Sequence, residues 1–396
     1  MLSKRAREVK PSPTLVIDSK AKAMAAAGHD VVNLGVGELD FDTPEFIKKA
    51  AIKAIEEGFT KYTPAAGTPQ LKNAIVEKFR RDNGLEYKPE EIIVSCGAKH
   101  SLYNVAQALY DTGDEILIPA PFWVSYPDQV ILNDATPVIV PTREDQHFIL
   151  DPAVLERHIT PKSKAIILNS PSNPTGCVYD RAALEKVADI ALRHKLWIVS
   201  DEIYEPLIFE GEPHTSIASL GPEVKARTIV INGVSKSHAM TGWRIGYAAG
   251  PKPVVDAMTA IQSQSTSNPN SIAQKATVAA LNAPNDFIED AKAEFNRRRK
   301  FLCNALNAIP GIRCLPPRGA FYVFPNISDL LGRSVGGRRI NSSAELCLYL
   351  LEEAKVAVVP GSAFGSEPHM RLSYATSYAN LEKAVARLKE ALAKLE

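Results

Sequence analysis

An α/β domain built on a mostly parallel seven-stranded sheet, followed by a smaller α+β domain, is the fold class that this sequence predicts. Three observations support it. From about residue 45 to 280, helical patterns alternate with short runs rich in Ile and Val. Those runs show little polar alternation, as expected of strands covered on both faces. The chain has 396 residues, more than one hydrophobic core usually organises, so two domains are expected. The expected division is an N-terminal arm and part of the small domain over 1–44, a large domain over 45–285 and a C-terminal small domain over 286–396.

In chain order, Glu91–Ser95, Glu115–Pro119, Thr136–Val140, Ala165–Asn169, Trp197–Ser200, Thr228–Asn232 and Gly246–Ala249 read as strands. Helical stretches such as Ala183–His194 separate several of them, and strand–helix alternation of this kind gives a parallel sheet. In such sheets ligands bind at the carboxyl ends of the strands. The C-terminal part changes character. A charged helical stretch over Asp286–Ala308 precedes a strand at Ala320–Phe324, a helix at Ala344–Ala354 and a strand at Met370–Tyr374. A final helix sets Leu381, Val385, Leu388, Leu392 and Leu395 on one face at 3–4-residue spacing. Gly332–Arg339, rich in Gly and Arg, reads as a surface loop.

Composition excludes several classes. Apolar residues make up 45% and charged residues 23% of the chain, the balance of a soluble globular protein. A net charge of +1 gives no electrostatic reason to expect nucleic acid or an anionic membrane as partner. No apolar run approaches the ~20 residues that span a bilayer. The basic start (Lys4, Arg5, Arg7, Lys10) has no apolar stretch after it, so no secretory signal is expected. Cys96, Cys177, Cys303, Cys314 and Cys347 are scattered and form no CxxC pair. They read as reduced thiols of a cytoplasmic protein, without a metal site.

Chemistry gathers at the predicted strand ends. Lys236 follows the run Thr228–Asn232 and Ser235, with Arg244 shortly after. A lysine amine attacks carbonyls only when neutral, and burial beside other cations supplies that form. A hydroxyl, a lysine and an arginine at one junction suit an amine nucleophile beside a phosphate-sized anion. Trp197–Ser200 runs into Asp201-Glu202-Ile203-Tyr204, Ala165–Asn169 into Ser170-Pro171-Ser172-Asn173-Pro174-Thr175-Gly176, and Glu91–Ser95 into Cys96-Gly97-Ala98-Lys99. Each junction also has a structural reading: Asp201 as a helix cap, Asn-Pro-Thr-Gly as a turn, Gly97 as a tight bend.

Taken together with Lys236, these motifs resemble the fold type I pyridoxal-phosphate enzymes, specifically the class I aminotransferases. The resemblance runs from Lys10-Pro11-Ser12 to Met370-Arg371-Leu372-Ser373-Tyr374. Gly37-Glu38, Asp40-Phe41-Asp42-Thr43-Pro44 and Lys61-Tyr62-Thr63 are similar to the bacterial-type aspartate aminotransferase branch, which includes prephenate aminotransferases.

The resemblance implies a role for each residue. Lys236 would hold pyridoxal 5'-phosphate as an internal aldimine and then serve as general base and acid. Asp201 would keep the pyridine nitrogen protonated, making the ring an electron sink. Tyr204 and Asn173 would hydrogen-bond the ring oxygen, and Trp123 would stack on the ring. Gly97, Ala98 and Lys99 at a helix start, with Ser235 and Arg244, would hold the phosphate. Tyr62 would reach across from a neighbouring subunit, which implies a homodimer with shared active sites. Arg371 would grip the substrate α-carboxylate bidentately, as a planar fork does better than an ammonium. Gly37 would approach the substrate through its backbone.

Lys99, with Lys10 and Thr14 of the N-terminal segment, would recognise a second carboxylate. The implied reaction is ping-pong transamination between aspartate or glutamate and 2-oxo acids, with prephenate-to-arogenate conversion as an additional reaction. Leu39 stands where Gly-Glu-Pro-Asp is usual in the branch, and His238 where an aromatic is usual after Ser-Lys-Ala; both are expected near the site. Two alternatives share this scaffold: a β-eliminating lyase, which needs no side-chain carboxylate grip, and an aminotransferase of broader or aromatic specificity. A cofactor-sensing regulator would need a DNA-binding module, and no basic recognition helix is present. Gly35-Val36-Gly37 fails as a dinucleotide motif because Asp40 stands where the third glycine belongs.

Overall fold

The computed structural model describes residues 2–9, 11, 13–211 and 213–396. Seven strands form the central sheet: β1 (Ile92–Ser95), β2 (Glu115–Ala120), β3 (Thr136–Pro141), β4 (Ser163–Asn169), β5 (Trp197–Asp201), β6 (Thr228–Gly233) and β7 (Gly246–Ala249). Their spatial order is β1-β7-β6-β5-β4-β2-β3. All pair in parallel except β7, which runs antiparallel to both neighbours, with Ser95 opposite Gly246 and Gly233 also opposite Gly246. Six strands therefore end, and β7 begins, at the same edge. The predicted strands are present within a residue or two at each end.

β1, β6 and β7 are buried along their whole length, and β2, β4 and β5 along most of it, as their apolar runs require. β3 departs from the expected double coverage. It is the sheet edge, and Thr136, Ile139 and Pro141 are exposed. Its two prolines are tolerated there, since an edge strand leaves the N–H groups of one side unpaired.

Helices cover the sheet. α1 (Ala98–Leu109) starts at Gly97, whose φ of 93° turns the chain out of β1 at no Cβ cost. It then packs Leu102, Val105 and Ala106 against Ile93, Ile116 and Ile231. On the opposite side α2 (Arg181–Arg193) buries Leu184, Val187 and Ala191 against Ile166 and Ile198.

A second core joins three antiparallel strands, β8 (Tyr322–Val323), β9 (Val359–Pro360) and β10 (Met370–Ser373), in the order β9-β10-β8. Two helices complete it, Asp286–Asn307 and Tyr378–Leu392. Leu381, Leu388 and Leu392 of the last helix are buried there, each worth roughly 2 kcal/mol of removed apolar surface. Val385 packs against the same cluster partly buried, and Leu395 lies beyond the helix end. Leu34 and Leu39 join this core from the N-terminal side, and Ile203 and Tyr204 from the end of β5. Residues 32–33 pair in parallel with 356–357. Gly332–Arg339 is not an irregular loop: Ser334–Val335 and Arg338–Arg339 pair as a short antiparallel hairpin through Gly336 and Gly337, both at positive φ.

All five cysteines are free, with the Cys303 and Cys314 sulfurs 3.9 Å apart. Among the described residues no helix is long and apolar enough to cross a membrane.

Candidate active site

Where the sheet's common edge meets the second core, a cavity of about 310 Å³ opens. Asn169, Asp201, Ser235 and Lys236 line it from the ends of β4, β5 and β6. Ala98, Lys99, Trp123, Tyr126, Asn173, Tyr204 and Arg244 follow from the loops and helix starts beyond, and Gly37, Tyr322 and Arg371 from the opposite wall. Thr14 lines its mouth. Lys10 lies outside the described residues.

The antiparallel β7 explains Arg244. A strand that begins at this edge carries its preceding loop into the site, and Arg244 sits two residues before Gly246 at φ 56°. Its Nη1 donates to the Thr241 carbonyl at 2.9 Å and its Nη2 to the Cys96 carbonyl at 3.3 Å. The guanidinium packs where a Cβ on Gly97 would stand. Gly97, Ala98 and Arg244 thus make one cradle, with the α1 amino terminus adding its partial positive charge.

Lys236 Nζ donates to the Gly37 carbonyl across the cavity. Burial, opposed by Glu38 and assisted by Arg244 and Arg371, brings its pKa down to about 8. About one amine in ten is then neutral at pH 7, against fewer than one in a thousand for an ordinary lysine. Asp201 is buried and its pKa is raised to about 6 by desolvation, even with the Tyr126 hydroxyl donating to Oδ2 at 2.7 Å and the Ile203 N–H to Oδ1 at 3.3 Å. A cationic partner at this carboxylate would restore its charge. Asn169 ties the ends of β4 and β5 together, its Nδ2 donating to the Asp201 carbonyl at 2.9 Å and its Oδ1 accepting from the Asn173 N–H at 2.8 Å.

Arg371 is buried rather than an exposed strand residue. Its Nη1 donates to Asn173 Oδ1 at 2.8 Å and its Nη2 to the Gly35 carbonyl at 2.6 Å. Nε has no partner. The guanidinium is clasped between Tyr322 at 4.5 Å and Phe364 at 4.9 Å. Lys99 reaches over the Trp123 ring at 4.8 Å. Partial burial and then Arg244 lower its pKa.

The structure adds to the readings of Gly37 and Tyr62 and corrects the placing of Leu39 and His238 beside the site. A Cβ on Gly37 would meet the Tyr322 hydroxyl, so the protein itself already requires glycine there. Leu39 is buried in the second core and His238 lines a separate cavity beside Lys78, Glu205 and His214, so neither wall of the site carries them. Tyr62 is 91% exposed and does not enter this chain's own cavity.

Sequence reasoning missed Tyr126 and Tyr322. Tyr126 carries a signal, an aromatic three residues after Trp123 at a helix start. Tyr322 lay inside a predicted strand, where only packing decides which face meets the site. It also missed a buried network behind β5. Glu202 accepts from Ser200 and Ser216, both at 2.8 Å, and faces His214 Nε2 at 2.9 Å. Glu202, Glu205 and His214 bring donor atoms within 4.8 Å of one another, but the Lys78 ammonium already contacts Glu205 as its counter-charge.

A buried lysine, an acid and an arginine around one cavity narrow the chemistry without naming it. The profile of the family described as "Aminotransferase class I and II" matches residues 29–388. This chain belongs to that family. The aminotransferase is 53% identical over 387 residues to the aspartate aminotransferase of Geobacillus stearothermophilus, covering 98% of each chain. It is 48% identical over 390 residues to the aspartate/prephenate aminotransferase of Nitrosomonas europaea, again covering 98% of each. Its fold matches the crystal structure of the aspartate aminotransferase from Rhizobium meliloti with a TM-score of 0.96, at 46% identity and with 100% of each chain covered. The α/β sheet with its smaller second core is therefore the fold type I arrangement.

Proposed function

We propose that this aminotransferase carries pyridoxal 5'-phosphate on Lys236 and moves amino groups between aspartate or glutamate and 2-oxo acids, with prephenate as a further acceptor. The observation that carries this reading is the pairing, in one cavity, of a lysine whose pKa has fallen to about 8 with the buried carboxylate of Asp201 and the buried guanidinium of Arg371. The names of the relatives, aspartate and aspartate/prephenate aminotransferases, support the substrate class.

The residues present fit the cofactor. The positive φ of Gly97 and the Arg244 guanidinium behind it leave a cradle of N–H groups and charge suited to a phosphate. Ala98, Lys99 and Ser235 complete it. Asp201 offers the carboxylate that a protonated ring nitrogen needs, Tyr204 and Asn173 offer hydrogen bonds to the ring oxygen, and Trp123 offers a stacking face. When bound, pyridoxal phosphate supplies an electron-withdrawing ring that stabilises negative charge at the substrate Cα. Lys236 would then take the Cα proton as the free amine and hand it on to the carbon on the far side of the substrate nitrogen, a 1,3-proton shift. Tyr126 holds Asp201 in place and favours its ionised form. Arg371 grips the α-carboxylate with the N–H donors that Asn173 and Gly35 leave unused, and Gly37 lets the substrate close on the backbone. Lys99, Lys10 and Thr14 read the second carboxylate.

The same reading makes the protein a cytoplasmic homodimer, with Tyr62 entering the neighbour's cavity and the domains dividing near residues 44/45 and 285/286. Tyr62, Phe46, Ile52 and Ile55, all exposed on the single chain, support a protein partner along this stretch.

An absorbance titration tests the proposal. The purified protein should show a visible cofactor band that bleaches with aspartate or glutamate and returns with oxaloacetate or 2-oxoglutarate, and Lys236→Ala should lose turnover. A colourless wild-type protein unable to take up the aldehyde sinks it. For the second carboxylate, Lys99→Ala should erode the preference for aspartate over alanine; an unchanged preference removes Lys99 from that role.

A further inference from the structure

Tyr322 touches both halves of the site at once. It begins β8 opposite Ser373, which lies two residues from Arg371, and is 1% exposed. Its hydroxyl lies 2.8 Å from the Tyr204 hydroxyl. Its ring face lies 4.5 Å from the Arg371 guanidinium. The same hydroxyl fills the space beside Gly37, whose carbonyl receives the Lys236 proton donor.

Two neutral phenols in contact share their protons in one of two ways. Burial holds both tyrosines in the protonated form. If Tyr204 donates to Tyr322, it has no proton left for a ligand. If Tyr322 donates to Tyr204, the Tyr204 proton is free to point into the cavity, and an accepted hydrogen bond strengthens a donated one. A ligand oxygen that accepts from Tyr204 selects the second arrangement. The ring face meanwhile gives Arg371 a cation–π contact that replaces part of its lost hydration.

We infer that Tyr322 is a positioning residue with two separable parts: its hydroxyl aims the Tyr204 proton, and its ring holds the Arg371 guanidinium. The inference rests on the pyridoxal-phosphate reading above. No sequence motif marks it, and neither part requires contact between Tyr322 and the reacting atoms.

The test uses the cofactor-loaded protein and two substitutions read without turnover. Tyr322→Phe removes only the hydroxyl. Donation from Tyr204 favours the deprotonated form of the bound cofactor, so weakening it should raise the pH midpoint of the visible band by about half a unit. In a Tyr204→Phe background the same substitution should shift the midpoint no further. Binding of maleate, an unreactive dicarboxylate, measured by calorimetry, should stay within about twofold for Tyr322→Phe, which keeps the ring, and weaken about fivefold for Tyr322→Leu, which does not.

A Tyr322→Phe midpoint indistinguishable from wild type, an equal shift in the Tyr204→Phe background, or undiminished maleate binding by Tyr322→Leu overturns the inference. So does loss of folded protein on removing one oxygen, which would place Tyr322 in the scaffold. A wild-type protein with no visible band is a separate result that removes the cofactor reading itself.

Discussion

Replacing Arg371 with lysine keeps the positive charge and removes the planar fork. In the structure both terminal nitrogens are already engaged, Nη1 with Asn173 Oδ1 at 2.8 Å and Nη2 with the Gly35 carbonyl at 2.6 Å, at a residue only 2% exposed. A lysine reaches one of these acceptors and leaves the other without its donor, which costs about 1–2 kcal/mol of folding stability. It also replaces a two-point grip on a carboxylate by one ammonium contact. Losing one charge-assisted hydrogen bond is worth about 2 kcal/mol, or roughly 30-fold. The expected outcome is a kcat/KM for aspartate lowered about 30-fold with a modest drop in Tm, and a proportionally lowered kcat/KM for every other amino donor, because all share the α-carboxylate. Steady-state kinetics on the loaded enzyme and a thermal melt measure both. A kcat/KM within about threefold of wild type, with the protein folded, would refute the assignment of Arg371 to the α-carboxylate.

Gly97→Ala should weaken cofactor binding at least tenfold, because a φ of 93° costs a Cβ about 1–2 kcal/mol and that atom meets the Arg244 guanidinium; unchanged cofactor affinity in an absorbance titration would contradict the cradle. His238 has its pKa pushed down to about 4 by burial, against ~6.5 when unfolded. The unfolded chain therefore takes up this proton first, so the stability contributed by neutral His238 is complete above pH 6.5 and is lost as pH falls towards 4, up to ~3 kcal/mol. His238→Gln should flatten the fall in Tm over that window relative to wild type, and parallel curves would contradict it. Lys78→Met should destabilise by about 3 kcal/mol, since Glu205 is then a buried carboxylate without its ammonium. A Lys78→Met/Glu205→Leu double variant should recover most of that loss in a denaturant titration; no recovery would show that the cost came from packing.

Much of this was legible along the chain because its signals are local. The Ile-rich runs Ile92–Ser95 and Thr228–Gly233 need no partner to be recognised as buried strands, since their burial on both faces is written in each residue. Lys236, Asp201, Asn173 and Gly97 were readable because each sits at a strand end next to a turn-forming residue. The less legible features depend on neighbours distant in sequence. The exposure of β3 follows from its place at the sheet edge. His238 was placed near the site by its closeness to Lys236 in sequence, yet the backbone between them turns it to the far side, into the cavity with Lys78. Tyr126 and Asp201 are 75 residues apart, and Tyr204 and Tyr322 are 118 apart.

The sequence by itself determined the alternation of strands and helices and the chemical inventory at the strand ends, because hydrophobic pattern and side-chain chemistry are properties of short segments. Only the tertiary structure decided the electrostatics. The fall of the Lys236 pKa, the rise of Asp201 and the clasp around Arg371 arise from desolvation and from charges on other segments. A linear chain holds those groups in water and apart. The fold removes the water and sets them on opposite walls of one cavity.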